Sequence, residues 1–234
     1  MTNARFTFHI LPYTTKANCQ QLFMKNDKIK NIIFDLGDVI LNIDVPVASL
    51  SFAKLSGKEQ AEILTLFQEK DLFRQFETGA LNEEGFRNYI RELLVFPDWT
   101  DEMIDTAWNS LLLDIPSERI ELLKKLRAHY KLFLLSNTSS IHITQVNKIL
   151  EAATGIKRLD DLFDKVYLSY EMGLMKPAAE IYQQVLDQEN LVAEETLFLD
   201  DNLANIEGAA ALGIATIHVR KPTTILEYLE DYAV

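Results

Sequence analysis

Three short apolar stretches of the chain each end in polar side chains that could act together in one reaction. The polar groups are, in chain order, Asp35, the neighbours Ser136 and Asn137, and the neighbours Asp200 and Asp201. Short apolar runs are typical of strands buried on both faces of a parallel sheet, and open α/β sheets bind ligands at the carboxyl ends of their strands. The pattern therefore predicts one site at one edge of one sheet, centred on Asp35.

The carboxylates in this set predict a site for a divalent cation. Two carboxylates facing a third repel one another unless a cation or a proton lies between them. Mg²⁺ prefers a few carboxylate oxygens, water and substrate phosphate in octahedral geometry. The alternative is that Asp200 and Asp201 only cap the helix predicted to begin at Asn202, where negative charge is favourable. The two roles are compatible, and we expect Mg²⁺ here.

The elements that must position these residues alternate between strand and helix. After a first strand at residue 31, apolar runs predict strands at Leu132–Leu135, Lys165–Leu168, Thr196–Leu199 and Ile214–Val219. Helical spacing predicts helices over Ser117–His129, Ile141–Ala152, Asn202–Leu212 and Ile225–Tyr232. Another helix is expected to begin at Pro177, because the first turn of a helix tolerates the missing N–H of proline. Repeated β–α units predict an α/β fold with a doubly wound, mostly parallel, Rossmann-like sheet.

A separate helical unit is predicted between the first and second strands. Apolar side chains recur there at helical spacing with no strand pattern, as in the series Phe86, Ile90 and Leu94. The predicted organisation is an amino-terminal extension (1–30), a core made of residues 31–45 and 114–234, and an inserted helical cap (46–113).

The composition of the chain excludes several classes of partner. The 234 residues are 48% hydrophobic and 25% charged, as in soluble globular proteins, and a net charge of −12 argues against nucleic acid. No apolar run approaches the roughly 20 residues that span a bilayer. The single cysteine, Cys19, fits a reducing compartment, and the first 30 residues lack a secretory cleavage site, although Phe6–Leu11 could form a short strand. We expect a cytoplasmic protein without a membrane partner, either a monomer or a weak dimer.

Four stretches taken together resemble the motifs of the haloacid dehalogenase superfamily. They are Asp35-Leu36-Gly37-Asp38-Val39, Ser136-Asn137, Lys176-Pro177 and Asp200-Asp201. The resemblance covers about residues 31–220 and is strongest to the bacterial α-D-glucose-1-phosphate phosphatase group, with the phosphatase domain of soluble epoxide hydrolases a more distant likeness. It implies a Mg²⁺-dependent phosphatase of small phosphorylated metabolites, with sugar phosphates such as glucose 1-phosphate as expected substrates.

The same resemblance implies a role for each site residue. Asp35 would attack phosphorus and form an aspartyl-phosphate that water then hydrolyses. The Ser136 hydroxyl and the Asn137 backbone amide would hold phosphoryl oxygens, and Lys176 would stabilise the charge of the transferring group. The implied metal ligands are Asp35, the backbone carbonyl of Gly37, Asp201 and, supporting or sharing, Asp200, with Asn202 and Asn205 supporting the acidic pair.

Gly37 departs from the pattern of the family. Most phosphatases of this superfamily carry an aspartate two residues after the nucleophile, which acts as general acid and then as general base. Such help contributes about 10²–10⁴ in rate, whereas accelerations of phosphate monoester hydrolysis reach about 10²¹. Turnover should therefore survive, best with a good leaving group such as the anomeric hydroxyl of a sugar 1-phosphate. Asp38 or a residue of the cap could serve as the acid instead.

Two residues of the cap are candidates for recognising substrate hydroxyls. Arg74 and Glu77 lie with Thr78 and Gly79 in a predicted polar turn between cap helices. A cap of this kind would close over the site and exclude water. The alternative is an ordinary exposed connection.

Two other functions are open at this point. A metal-free haloacid dehalogenase would use Asp35 to displace halide from carbon, but Asp200 and Asp201 would then leave uncompensated negative charge beside the nucleophile. A non-catalytic phosphosugar-binding or regulatory protein would bind ligand without hydrolysis at saturating Mg²⁺. Halide release without added metal would indicate the first function, and binding without phosphate release the second.

Overall fold

The computed structural model describes residues 27–69 and 72–233. Within them five strands form one sheet in the order β3-β2-β1-β4-β5, with every neighbouring pair parallel. The strands are β1 (Asn31–Phe34), β2 (Lys131–Ser136), β3 (Lys165–Leu168), β4 (Thr196–Asp200) and β5 (Ala215–His218). The predicted doubly wound α/β sheet is confirmed. The possible strand at Phe6–Leu11 and the single cysteine lie outside the described residues.

Helices cover both faces of the sheet and fill the connection between β1 and β2. In that connection lie α1 (Val45–Ser56), α2 (Gln60–Glu69), α3 (Leu72–Glu77), α4 (Glu83–Leu94) and α5 (Asp101–Asn109). The later helices are α6 (Ser117–Leu126), α7 (Ser140–Thr154), α8 (Ser169–Met172), α9 (Ala179–Glu189), α10 (Leu203–Ala210) and α11 (Ile225–Tyr228). Over the described residues, no helix is both long and apolar enough to cross a bilayer.

The central strand β1 separates two hydrophobic layers. Successive side chains of a strand point to opposite faces of the sheet. Ile32 and Phe34 accordingly pack into one cluster of buried side chains, and Ile33 packs into another on the opposite face. Within the sheet β1 carries no charged side chain, and the first acidic group follows directly at its carboxyl end.

The strand register brings the predicted site residues to one edge. Phe34, the last residue of β1, pairs with Leu134 of β2 and with Leu199 of β4. The next residue, Asp35, donates its backbone N–H to the carbonyl oxygen of Leu199 at 2.8 Å. Asp35 therefore leaves the sheet beside the ends of both neighbouring strands, as the polar strand ends predicted.

Helices α1–α5, here called the helical insertion, have a hydrophobic core of their own. Its aromatic centre stacks Phe76 on Phe86 with ring centroids 4.2 Å apart, and Trp108 lies 4.9 Å from Phe86. The two chain segments that lead into and out of the insertion bond to each other, Asn42 N–H to the Asp114 carbonyl at 2.8 Å. A separate core and a paired entry and exit support a distinct unit, and the boundaries 46–113 stay a prediction.

The helix start predicted at Pro177 is wrong. The helix expected at Pro177 begins two residues later, at Ala179. The Asn137 side chain holds the residue before Pro177 in a non-helical loop: the Lys176 N–H donates to the Asn137 side-chain oxygen, and the Lys176 carbonyl accepts from the Asn137 side-chain amide, both at 2.9 Å. Helix α10 likewise begins after Asn202, whose side chain caps it by accepting from the Ala204 N–H at 2.9 Å.

Candidate active site

Lys176 lies buried between two carboxylates at the carboxyl edge of the sheet. Its Nζ is 2.6 Å from Asp35 Oδ1 and 2.7 Å from Asp200 Oδ2, and it donates to the Leu135 carbonyl at 2.9 Å. These three bonds use all three donors of the ammonium group. The side chain of Lys176 is 1% exposed. Sequence reasoning gave Lys176 a charge-stabilising role and missed that it bridges both acids.

Only one of the two bridged carboxylates can be reached from outside. The Asp200 side chain is fully buried, whereas 12% of the Asp35 side chain is exposed. Both oxygens of Asp200 accept from the Asn205 side-chain amide, at 3.1 and 3.0 Å, and the Asn202 backbone N–H donates to it at 2.8 Å. Asp200 is thus held in place by its neighbours, including Asn205, which was predicted to support the acidic pair. Asp35 is the carboxylate that a substrate could contact.

The amide side chain of Asn137 holds the loop that carries the lysine. It bonds both the N–H and the carbonyl of Lys176, which is 39 residues further along the chain. Sequence reasoning gave Asn137 a role through its backbone amide and missed this one. An asparagine side chain offers a donor and an acceptor together, so it can satisfy a backbone segment that would otherwise leave both groups unpaired.

Three carboxylates could hold a metal ion at this edge. Asp35, Asp200 and Asp201 each offer an oxygen, and these oxygens lie within 4.8 Å of one another. When all are ionised, Lys176 leaves two negative charges uncompensated, which one divalent cation would balance. Among the described residues no group donates a hydrogen bond to the Gly37 carbonyl, so that oxygen is also available. An all-oxygen donor set suits Mg²⁺.

The electrostatics of the cluster favour cation binding. Burial raises the pKa of Asp35 to about 7, with Lys176 lowering it and Asp200 raising it further. Burial, followed by Asp200 and Asp38, also raises the pKa of Asp201. Burial acts to lower the pKa of Lys176, but its two carboxylate partners outweigh that effect and raise it. Without a cation the cluster retains a proton near neutral pH, and a cation would displace it and leave Asp35 ionised.

The hydroxyl of Ser136 faces a cavity of about 370 Å³ between the helical insertion and the strand ends. Across the part of the chain that is described, this hydroxyl has no hydrogen-bond partner. The loop that follows is anchored, because the Thr138 N–H donates to the Ser169 hydroxyl at 2.9 Å. Ser169, at the beginning of α8, was missed by sequence reasoning.

The walls of this cavity are mostly apolar. They include Gly37, Ser136 and Asn137 from the core and Glu77 from the helical insertion, together with Leu36, Leu41, Ile43, Leu64, Phe67, Trp108, Leu111, Leu112 and His142. Its volume lies within the range of small-molecule sites. Leu64 is 42% exposed and also lines the cavity.

The two predicted recognition residues of the insertion occupy different places. Both lie in α3 and not in a turn, since the turn begins only at Thr78. Glu77 lines the cavity, and burial raises its pKa to about 7. Arg74 is exposed and lines a separate cleft beside Lys176 and Pro177. The structure therefore brings Glu77, but not Arg74, into the cavity beside Gly37 and Ser136.

The two histidines near the site have structural partners. His142 stacks on Trp108 with ring centroids 4.8 Å apart, and its Nδ1 lies 3.0 Å from Asn109 Oδ1. Burial lowers the pKa of His142 to about 3, so its ring is neutral. The Nε2 of His218 lies 2.9 Å from the Asp201 carbonyl oxygen. Neither ring is arranged as a proton donor toward Asp35, in agreement with the sequence.

At Gly79 the turn after Glu77 packs closely against the backbone of the core. Its φ is +70°, in the left-handed region, and a Cβ at this position would lie 2.2 Å from the carbonyl oxygen of Tyr170 in α8. Only a residue without a side chain can approach that backbone so closely. The contact holds the end of α3, and with it Glu77, against the part of the core that carries Ser169.

Replacing Gly79 by alanine is expected to lower kcat/KM and to destabilise the fold by about 2–4 kcal/mol, since left-handed strain of about 1–2 kcal/mol adds to a backbone clash. The matched control is Gly57→Ala, where φ is +69° but a Cβ would meet nothing within 4 Å. Urea unfolding and steady-state kinetics of both variants check this. Equal losses in the two would show that the Tyr170 contact has no effect of its own.

Comparisons with known proteins agree with this geometry. The family model of the haloacid dehalogenase-like hydrolases matches residues 29–213. D-ribitol-5-phosphate phosphatase from Bacteroides thetaiotaomicron is 33% identical over 188 residues, which cover 80% of this chain and 90% of that protein. A sesquiterpene phosphatase from Aspergillus oryzae is 26% identical over 192 residues, 81% of this chain and 89% of that protein.

A solved structure is similar over nearly the same length. It is that of an enzyme of the family from Bacteroides thetaiotaomicron, in complex with magnesium and inorganic phosphate. The TM-score is 0.76 with 38% sequence identity, covering 83% of this chain and 96% of that one. The similarity therefore covers most of both chains.

Proposed function

Because the chain belongs to the haloacid dehalogenase-like hydrolases, we propose that it is a Mg²⁺-dependent phosphatase of small phosphorylated metabolites that works through an aspartyl-phosphate. One observation carries the proposal. A partly exposed Asp35 lies at the sheet edge among carboxylates that could hold a cation, bonded to a buried lysine. The similar structure with bound magnesium and phosphate supports the same chemistry.

Each group has a defined task in this mechanism. Asp35 attacks phosphorus, and Lys176 holds positive charge beside the attacking carboxylate. The Ser136 hydroxyl and the Asn137 backbone amide would bind phosphoryl oxygens. Bound Mg²⁺ would be held by Asp35, Asp201, Asp200 and the Gly37 carbonyl, and would supply charge that offsets the negative charge of the phosphoryl group.

Sugar phosphates are the first substrate class in this proposal. The ribitol-5-phosphate phosphatase supports a phosphorylated sugar alcohol, and the motif resemblance supports glucose 1-phosphate. A second class rests on the mostly apolar cavity beside Ser136, which suits the phosphate ester of an apolar alcohol. The sesquiterpene phosphatase among the relatives supports that class.

A panel of phosphate esters with Mg²⁺ and with EDTA tests the function. The panel should include ribitol 5-phosphate, glucose 1-phosphate and farnesyl phosphate, with 2-chloropropionate as the control for dehalogenase activity. We expect phosphate release with Mg²⁺, a loss of at least about 100-fold in EDTA, and no chloride. Chloride release without metal, or binding of esters without hydrolysis, would contradict the proposal. A cytoplasmic location and the monomer or weak dimer remain predictions.

A further inference from the structure

The position that usually carries the general acid has no side chain in this chain and no room for one. Gly37 has no side chain, and a Cβ there would lie 2.9 Å from Ile43 Cδ1. The neighbouring carboxylate, Asp38, is already engaged: its Oδ1 accepts from the Ile43 N–H at 3.2 Å and pairs with Lys221 Nζ at 2.7 Å. Asp38 also does not line the cavity that Gly37 and Ser136 line. The proton for a leaving group must therefore come from elsewhere.

Glu77 is free to supply that proton. Over residues 27–69 and 72–233, its carboxyl group makes no hydrogen bond and no ion pair. It lines the same cavity as Gly37 and Ser136, on the side of the helical insertion. The Glu77 side chain is half-buried, and a carboxyl group in that position without a partner favours its neutral, proton-carrying form, so that burial raises its pKa to about 7.

The other titratable side chain in the wall of the cavity is unsuited to the task. His142 is buried against Trp108, bonded to Asn109, and neutral because burial lowers its pKa to about 3. The turn that follows Glu77 packs directly against the Tyr170 backbone at Gly79, which limits the freedom of that end of α3. A group whose pKa lies near the working pH can give a proton in one step and accept one in the next.

We propose that Glu77 of the helical insertion is the general acid and base that replaces the side chain absent at Gly37. This inference rests on the proposed phosphatase function. As the Asp35–phosphorus bond forms and the ester oxygen leaves, Glu77 gives its proton to that oxygen. As water attacks phosphorus and the Asp35–phosphorus bond breaks, the Glu77 carboxylate accepts a proton of the water. The enzyme then returns to its first state, and a good leaving group is no longer required of the substrate.

The test compares Glu77→Gln with wild type on two leaving groups. One substrate is 4-nitrophenyl phosphate, whose nitrophenolate leaves without a proton, and the other is the primary-alcohol phosphate that wild type hydrolyses fastest. We expect kcat/KM for the alcohol ester to fall about 10²–10⁴-fold, and that for the nitrophenyl ester to fall less than about tenfold. Because the second step also loses its base, nitrophenolate should appear as a burst equal to the enzyme concentration.

Glu84→Gln, an exposed carboxylate at the beginning of α4, is the matched control and should leave both values unchanged. Thermal unfolding verifies that each variant is folded. Equal losses of kcat/KM on both substrates would overturn the inference and show a structural role for Glu77. The absence of a loss on either substrate would also overturn it. If wild type hydrolyses no ester with Mg²⁺, the proposed function fails. If wild type is active and Glu77→Gln retains both activities, only the present inference fails.

Discussion

Replacing Asp35 by asparagine is expected to abolish phosphate release, with kcat falling by roughly 10⁴–10⁶-fold. An amide of the same shape cannot attack phosphorus, and removal of a nucleophile from a catalytic set has effects of this size. Phosphate release from the best ester of the panel, measured with saturating Mg²⁺, checks the loss. A residual kcat within about 100-fold of wild type would show that Asp35 is not the nucleophile.

The same variant should not lose stability in the absence of metal, which separates lost chemistry from lost folding. The pKa of Asp35 is about 7 in the folded protein, against about 3.9 for an unfolded aspartate. The folded state therefore binds this proton more tightly than the unfolded state does. The proton makes its full contribution to the free energy of unfolding below about pH 4, and that contribution is lost as pH rises through 7. In EDTA, wild type should lose more unfolding free energy between pH 5.5 and 8 than Asp35→Asn does. The opposite order would contradict the raised pKa.

Replacing Lys176 by methionine is expected to give the largest loss of stability together with a loss of activity. The substitution leaves Asp35 and Asp200 beside each other, buried and without their shared ammonium group. Breaking a buried ion pair by removing one partner destabilises by about 3–5 kcal/mol. The loss of a positive group beside the transferring phosphoryl group should also lower kcat by about 10²–10³-fold. Urea unfolding in EDTA and steady-state kinetics measure the two effects.

The control for that experiment is Lys221→Met. Lys221 also bonds a carboxylate, Asp38, at 2.7 Å, but its side chain is 63% exposed. Exposed ion pairs are worth about 0–1 kcal/mol, so this variant should lie close to wild type. Excess Mg²⁺ should restore part of the stability of Lys176→Met, because a cation can neutralise the two carboxylates. Equal stability of the two variants would show that the buried bridge contributes nothing.

The edge of the sheet was predictable because its signals are local. Each apolar run of three or four residues predicts a buried strand, and the first polar residue after it marks the carboxyl end. Asp35, Ser136 and Asp200 accordingly end up side by side, and Asp201 joins them as predicted. The helical stripe at Phe86, Ile90 and Leu94 is also buried as its spacing indicated.

The contacts that link these elements were not predictable, because they depend on tertiary distances. Lys176 meets Asp35 across 141 residues of chain and Asp200 across 24, and no local pattern specifies either contact. Arg74 and Glu77 are three residues apart on one short helix, yet only Glu77 lines the cavity beside Gly37. The turn at the end of α3 packs on Tyr170 at Gly79, a contact that the sequence does not show.

The most direct test of the central claim is to trap the enzyme during turnover. The protein is mixed with Mg²⁺ and its best phosphate ester, quenched with acid within milliseconds, digested, and its peptides are weighed by mass spectrometry. The mechanism predicts a phosphoryl group on the carboxylate of Asp35, absent in EDTA and absent in Asp35→Asn. A phosphoryl group on another residue, or steady turnover with unmodified Asp35 under conditions where the second step is slow, would contradict it.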